Sequence, residues 1–69
     1  MVDPLVEGIM LRRRERGISQ TDVAEAMGTT QSHVSELESG LLDPRLSTLR
    51  KYAEVVGVDL LGMQRETSD

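Results

Sequence analysis

SQTDVAEAMGTTQSHVSELESG, residues 19–40, is the stretch that decides the fold, because it predicts two short helices joined by one tight turn. Ser19 and Thr30 each precede a helical pattern, and their hydroxyl groups are well suited to accept hydrogen bonds from first-turn backbone N–H groups. Gly28 and Gly40 stand where the two helices should end, a position that favours a residue tolerant of the left-handed backbone conformation. Each predicted helix has only a small apolar face, so the two must pack against each other and against further elements.

The spacing within this stretch matches the helix-turn-helix motif. Counted from Gln20, the fourth, fifth, ninth, fifteenth and eighteenth positions are Val23, Ala24, Gly28, Val34 and Leu37. The fifth position must be small because the second helix crosses the first closely there, and the ninth lies in the turn. The apolar positions fill the wedge between the two helices. Agreement of all these positions, with a cap at each start and a glycine at each end, predicts a helix-turn-helix over residues 19–40.

These residues resemble the phage-repressor and Cro-like helix-turn-helix proteins, the XRE family. The resemblance rests on residues 19–20, 28–31 and 37–40, and it extends over most of the chain, from residue 5 to about residue 58. It implies an all-α fold, a compact four- to five-helix lambda-repressor-like DNA-binding domain with a central helix-turn-helix. It also implies the function of a sequence-specific regulator of transcription, a repressor that binds double-stranded DNA as a dimer through the major groove.

Composition limits the alternatives. A length of 69 residues predicts one helix-turn-helix domain, residues 1–69, with a small core. The absence of cysteine excludes disulfides and thiolate metal sites. A single aromatic residue excludes the base-stacking surfaces of single-strand binding proteins. No apolar run approaches the roughly 20 residues of a membrane span, and the first residues do not read as a signal peptide. We therefore expect a cytoplasmic protein that does not bind membranes.

Catalysis is not expected. The chain has one histidine and no cysteine, and its carboxylates are scattered over predicted helix surfaces. It has neither a Walker-type loop nor a G-x-G-x-x-G loop to hold a phosphate. His33 has no second histidine or cysteine with which to complete a metal site. These features predict a binding protein without a cofactor or a metal.

Helix signals also flank the central motif. Asp3-Pro4 predicts the start of a first helix that closes at Gly17, and Asp43-Pro44 repeats this signal ahead of a fourth helix. Ser47 is a competing N-cap for that fourth helix. Its expected apolar side consists of Leu46, Leu49, Tyr52, Ala53 and Val56, with the Tyr52 hydroxyl in water at the edge of the core. The connector leucines, Leu41 and Leu42, are expected to fold over the core or to contact a partner.

The C-terminal tail, residues 58–69, is a candidate dimerisation element. Asp59 could cap a short fifth helix, whereas the alternation of Val58 and Leu60 also suits a short strand. A small monomer would cover Leu60, Leu61 and Met63 poorly, so dimerisation explains them most economically.

The charge distribution is unusual for a protein that binds DNA. The formal net charge is -4, and residues 18–44 contain five acidic residues and no lysine or arginine. Cations lie in the flanking helices, above all in Arg12, Arg13, Arg14 and Arg16, where they also suit the negative end of a helix dipole. We expect weak non-specific binding and a shallow salt dependence for one copy, which two copies on one site would offset.

The second motif helix points five polar side chains outward, and these are the candidate base-reading residues: Gln31, Ser32, His33, Ser35 and Glu36. The Gln31 amide can bond bidentately to adenine, Ser32 can bond to any base, and Glu36 can accept from cytosine. The resemblance implies that these three are the main readers. Each also has an ordinary interpretation, since all five side chains suit a solvated helix face and His33 suits a hydrogen bond to backbone.

The candidate phosphate contacts are Gln20, Thr30, Ser39, Arg45 and Ser47. The resemblance implies a phosphate contact for Gln20, whose amide, with the free N–H groups of its helix, is a neutral donor. It also implies an ion pair between Arg13 and Glu38 that ties the first helix to the end of the second motif helix.

A different class of function stays open. The acidic stretch and the apolar tail favour an antitoxin or a co-regulator that works mainly as a protein-interaction module, with a basic toxin or other protein as its partner. The residues of the second motif helix favour the DNA-binding regulator, and one protein could do both.

Overall fold

The computed structural model describes residues 2–60, which fold into four helices. They are α1 (Pro4–Glu15), α2 (Gln20–Met27), α3 (Gln31–Ser39) and α4 (Leu46–Val56). This part of the chain contains no strand, so the predicted all-α fold is confirmed. The helix or strand expected at residues 58–64, and the candidate dimerisation element at residues 58–69, lie mostly outside the described residues.

The helix-turn-helix forms because its two helices are capped as predicted. The Ser19 hydroxyl accepts a hydrogen bond from the backbone N–H of Asp22 at 3.0 Å, and the Thr30 hydroxyl accepts one from the backbone N–H of His33 at 3.2 Å. Gly28 ends α2 with a φ of 73°, in the left-handed region. A side chain there would meet open space, so the backbone conformation alone accounts for the glycine.

A small core lies where the four helices meet, and every helix contributes to it. α2 packs against α3 and α4, and α1 packs against α4 and α3. The buried apolar residues are Val6 and Ile9 from α1, Val23, Ala24 and Met27 from α2, Val34 and Leu37 from α3, and Leu49, Tyr52, Ala53 and Val56 from α4. This arrangement fixes the angle at which α3 leaves the core, and the outer side of α3 remains exposed. None of the helices within residues 2–60 is long and apolar enough to cross a membrane.

The start of α4 differs from the prediction. Arg45 occupies the N-cap position with an extended backbone, φ −74° and ψ 154°, and its side chain makes no capping hydrogen bond. Because the chain is still extended at this residue, the helix begins only at Leu46, and neither Asp43 nor Ser47 is its cap. Leu46 is thus the first residue of α4. It is 60% exposed and does not join the core.

The connector between α3 and α4 excludes one of the two placements expected for Leu41. Leu41 is 76% exposed, so it does not fold over the core. Leu42 is partly buried and lines a hollow between the connector and α3.

A contact that the sequence did not reveal joins the ends of α1 and α4. Arg16 follows α1, and its guanidinium donates to the carbonyl oxygens of Val56 and Gly57, the latter at 3.2 Å. These carbonyls lie at the C-terminal end of α4, where a helix leaves acceptors unpaired and where positive charge is favourable. Arg16 therefore holds α1 and α4 together at the side of the molecule opposite the connector to α4.

Candidate nucleic-acid interface

The outer edge of α3 is open to solvent. Gln31, Ser32 and Glu36 are exposed, and His33 and Ser35 are partly buried. The apolar residues of the same helix face the opposite way, into the core. Three of the five candidate base-reading residues therefore lie on the accessible outer edge of α3, which a groove of suitable width could receive, and His33 and Ser35 lie at its partly buried margins.

A buried carboxylate lies behind this edge. Glu38, near the end of α3, is 5% exposed and accepts four hydrogen bonds. Arg13 of α1 supplies two of them in a bidentate pair, Nε to Oε2 and Nη2 to Oε1, both at 2.8 Å. Gln20 of α2 donates from Nε2 to Oε1 at 2.9 Å, and the Tyr52 hydroxyl of α4 donates to Oε2. One carboxylate thus joins all four helices.

The ion pair of Arg13 and Glu38 implied by the resemblance is present in the structure, and it is fully satisfied. Arg13 is 7% exposed, and its remaining Nη1 donates to the carbonyl oxygen of Ile18 at 2.8 Å. Among the described residues, no buried side-chain nitrogen or oxygen lacks a hydrogen-bond partner. A buried pair of this kind disfavours helix arrangements that would leave either charge without its partner.

The network shifts the pKa of each ionisable member. Burial by itself would raise the pKa of Glu38, but the hydrogen bonds from Arg13, Tyr52 and Gln20 outweigh it, so the pKa lies below its ordinary value. The hydrogen bond to Glu38 raises the pKa of Arg13. Burial, followed by the hydrogen bond to Glu38, raises the pKa of Tyr52. The carboxylate is therefore ionised and the phenol neutral across the physiological range.

The position of Tyr52 corrects the sequence prediction. Its ring is fully buried, and its hydroxyl donates to Glu38 and does not reach water. A buried tyrosine needs a partner for its hydroxyl, and the one acid on the inner face of α3 provides it. Local spacing in the sequence does not pair the two residues, because they are 14 positions apart and lie on different helices.

Gln20 connects the buried network to the exposed edge of α3. While its Nε2 donates inward to Glu38, its Oε1 accepts a hydrogen bond from Nε2 of Gln31 at 2.7 Å. A residue predicted to contact phosphate is thus bonded to one predicted to read a base, at the point where α2 and α3 begin.

The other candidate phosphate contacts lie around the ends of α3. The Thr30 hydroxyl accepts from the His33 backbone, which leaves its proton free to donate. The Ser39 hydroxyl donates to the carbonyl oxygen of Glu36 at 3.0 Å. Arg45 and Ser47 are exposed at the start of α4, and Arg45 helps to line a hollow of ≈ 360 Å³ between α3 and the connector. The structure thus brings Arg45 to the α3 side of the molecule.

His33 lies in that same hollow, beside Leu37 and Thr48. Within residues 2–60 no three histidine, cysteine, aspartate or glutamate side chains cluster in a way that could hold a metal ion.

Burial of Glu38 changes how the charge of the motif should be counted. The sequence assigns five acidic residues to residues 18–44, but Glu38 is enclosed and neutralised by Arg13. The acidity that α2, α3 and the connector present to solvent comes from the other four, which are Asp22, Glu25, Glu36 and Asp43. Only Glu36 among them belongs to the exposed edge of α3.

Comparison with known proteins identifies the family. A family profile described as helix-turn-helix matches residues 9–63, which include α2, α3, α4 and the latter part of α1. The chain belongs to the XRE-type helix-turn-helix family. The resemblance drawn from the sequence is thereby confirmed.

Several curated proteins are similar to this member of the family. Antitoxin HigA1 of Mycobacterium tuberculosis is 39% identical over 56 residues, 81% of this chain and 38% of that protein. The HTH-type transcriptional regulator PuuR of Escherichia coli is 40% identical over 48 residues, 70% of this chain and 26% of that protein. The ImmF control region 10 kDa protein of Bacillus phage phi105 is 33% identical over 49 residues, 71% of this chain and 54% of that protein.

The chain spans only about a quarter to a half of the length of these three relatives. No solved structure matches it.

The buried pair generates a stability prediction. Arg13→Met leaves the Glu38 carboxylate buried without its main partner, so it should lower the free energy of unfolding by about 3–5 kcal/mol. Combining Arg13→Met with Glu38→Leu and Tyr52→Phe removes the whole set of buried polar groups, and it should restore most of that loss. Urea unfolding followed by circular dichroism measures both. A triple variant less stable than Arg13→Met alone would contradict this account of the pair.

Proposed function

We propose that the protein is a sequence-specific regulator of transcription that binds double-stranded DNA, and that it acts as a repressor. The observation that carries this proposal is the exposed edge of α3, residues 31–36, held at a fixed angle by a helix-turn-helix. A major groove is wide enough to admit such a helix. Membership of the family and the similarity to PuuR and other proteins named as transcriptional regulators support the proposal. The protein would work in the cytoplasm as a binding protein and not as an enzyme.

Three residues of the edge would carry base recognition. The Gln31 amide can accept from N6 and donate to N7 of adenine, Ser32 can donate or accept, and Glu36 can accept from N4 of cytosine. His33 and Ser35 are less exposed and would contact bases or sugars at the margin of the groove.

Phosphate contacts would surround these readers. The second amide hydrogen of Gln20 and the hydroxyl proton of Thr30 are available donors at the start of α2 and of α3. Arg45, with Ser39 and Ser47, would contact phosphate on the far side of the groove. Because most of these donors are neutral, each bound copy would release few counterions, which agrees with the acidic composition.

A second copy would complete the binding unit. An open groove of ≈ 660 Å³ lies between the start of α1, α4 and the residues after α4, and its apolar lining is Leu5, Leu46, Ala53, Val58 and Leu60. Arg50 and Glu54, one helical turn apart on α4, border this α1–α4 groove. A two-fold axis between them would set the arginine of each copy against the glutamate of the other. The resulting homodimer would present two α3 edges to half-sites about one helical turn apart.

The similarity to an antitoxin favours a second candidate function. HigA1 is named as an antitoxin, and the acidic surface of α2 and the connector would suit a basic protein partner. Under this alternative the protein is an antitoxin or co-regulator whose main ligand is a toxin or another protein.

Base recognition can be tested directly. Preferred sequences are selected from randomised duplex DNA, and binding to them is then measured by mobility-shift titration at two salt concentrations. Gln31→Ala should abolish the preference at one base position, which corresponds to a loss of about 1–3 kcal/mol of discrimination. Arg45→Ala is the matched phosphate variant. It should weaken binding to all sequences alike and reduce the salt slope by about one. If no duplex is enriched and a basic protein binds the acidic surface instead, the interaction-module alternative is correct.

The dimer proposal is tested by light scattering. Leu46→Glu places a charge in the α1–α4 groove and should convert a dimer to a monomer without loss of helicity, since this leucine is already 60% exposed. Leu41→Glu is the control, because Leu41 is also exposed but lies in the connector, away from the groove. A wild-type monomer, or a Leu46→Glu protein that stays dimeric, would rule out this interface.

A further inference from the structure

We propose that Glu38 is a positioning residue for base reading, which fixes the direction of the Gln20 amide and, through it, the amide of Gln31. This inference rests on the proposed function, because it assigns to a buried core residue the orientation of the main base-reading side chain. Glu38 itself would touch no nucleotide, since it is almost completely enclosed.

The first step follows from the chemistry of a carboxylate. An ionised carboxylate has no proton to donate and can only accept hydrogen bonds. Gln20 therefore has to turn its NH2 group toward Glu38 Oε1, as the 2.9 Å contact shows. The reverse orientation would place the amide oxygen against an already negative oxygen and would leave a partly buried NH2 without this partner. That arrangement is strongly disfavoured where little water can enter.

The second step passes this orientation to α3. With its NH2 group turned inward, Gln20 has its carbonyl oxygen directed at the first residue of α3, and this oxygen can only accept. Gln31 consequently donates from Nε2 at 2.7 Å. Its second amide hydrogen and its own carbonyl oxygen are left over, and these are the donor and the acceptor that adenine requires. The hydrogen bonds thus have one direction, from Gln31 through Gln20 to Glu38.

The third step concerns the rigidity of the carboxylate. Arg13 of α1 holds both oxygens in a bidentate pair, and Tyr52 of α4 donates to Oε2. Since α1 and α4 fix Glu38 before any ligand is present, much of the rotamer entropy of Gln20 and Gln31 is lost during folding and not during binding. Such pre-organisation raises affinity and sharpens discrimination against the wrong base.

The test compares base preferences among variants on the duplex selected by the wild-type protein. Glu38→Gln replaces the carboxylate with an amide of the same shape, which can donate as well as accept, so Gln20 is free to face either way. Discrimination at the base position that Gln31→Ala identifies should fall about tenfold, while preferences at the other positions stay unchanged. Val56→Ala is the control, because it removes buried apolar volume from α4 outside the network and should leave relative preferences intact.

A second variant tests the same proposal if the Glu38→Gln protein does not fold. The triple change Arg13→Met, Glu38→Leu and Tyr52→Phe also removes the acceptor behind Gln20, and it should show the same selective loss. The proposal is overturned if either folded variant keeps the preference at that position, or loses preference evenly at all positions as a general destabilisation would.

A measurement without DNA separates this inference from the proposed function. In NMR spectra of the free protein, the side-chain amide protons of Gln20 and Gln31 should be shifted and slowly exchanging, and Glu38→Gln should return both toward solvent-exposed values. Unchanged spectra would disprove the relay. If the wild-type protein selects no duplex but the spectra respond as expected, the relay stands and the proposed function fails.

Discussion

The bidentate hydrogen bonds between Arg13 and Glu38 are the interaction on which the rest of this structure depends. The core formed by residues 2–60 has eleven buried apolar residues and is small, and hydrophobic burial alone does not choose one crossing angle among several. The carboxylate does so, because it needs donors from α1, α2 and α4 at the same time. A shift of any helix would leave a buried charge without a partner, which costs far more than an imperfect apolar contact. Together with the packing of the core, this network holds α3 at its angle and keeps its outer edge accessible.

The same interaction removes one of the five acidic residues of the 18–44 stretch from the surface, together with Arg13, so the net charge of -4 is unchanged. Glu38, on the inner face of α3, is neutralised within the core, and Glu36 is the single carboxylate on the exposed edge of α3. What the edge offers is hydrogen-bonding capacity from amide and hydroxyl groups. Such a surface gains little affinity from the charge of the DNA backbone and more from the match to base edges. A second copy on the same site would supply the affinity that one copy lacks.

The local features of the fold could be predicted from the sequence, and the long-range ones mostly could not. Ser19 and Thr30 as caps depend on neighbours within three residues, so the pattern located the helix-turn-helix correctly. The predicted start of α4 was wrong. Asp43-Pro44 is an ordinary helix-start signal, but the backbone stays extended through Arg45 and the helix begins only at Leu46. The hydroxyl of Tyr52 and the amide of Gln20 find their partner on another helix, which no local spacing encodes.

The central claim is that the exposed edge of α3 is the surface that meets the DNA duplex. The most direct measurement is a titration of isotope-labelled protein with a selected duplex, followed through backbone amide chemical shifts. The account predicts the largest changes at residues 31–36 and at the start of α2, with smaller changes around Arg45 and none in the α1–α4 groove. Shifts confined to the groove, with residues 31–36 unchanged, would contradict it.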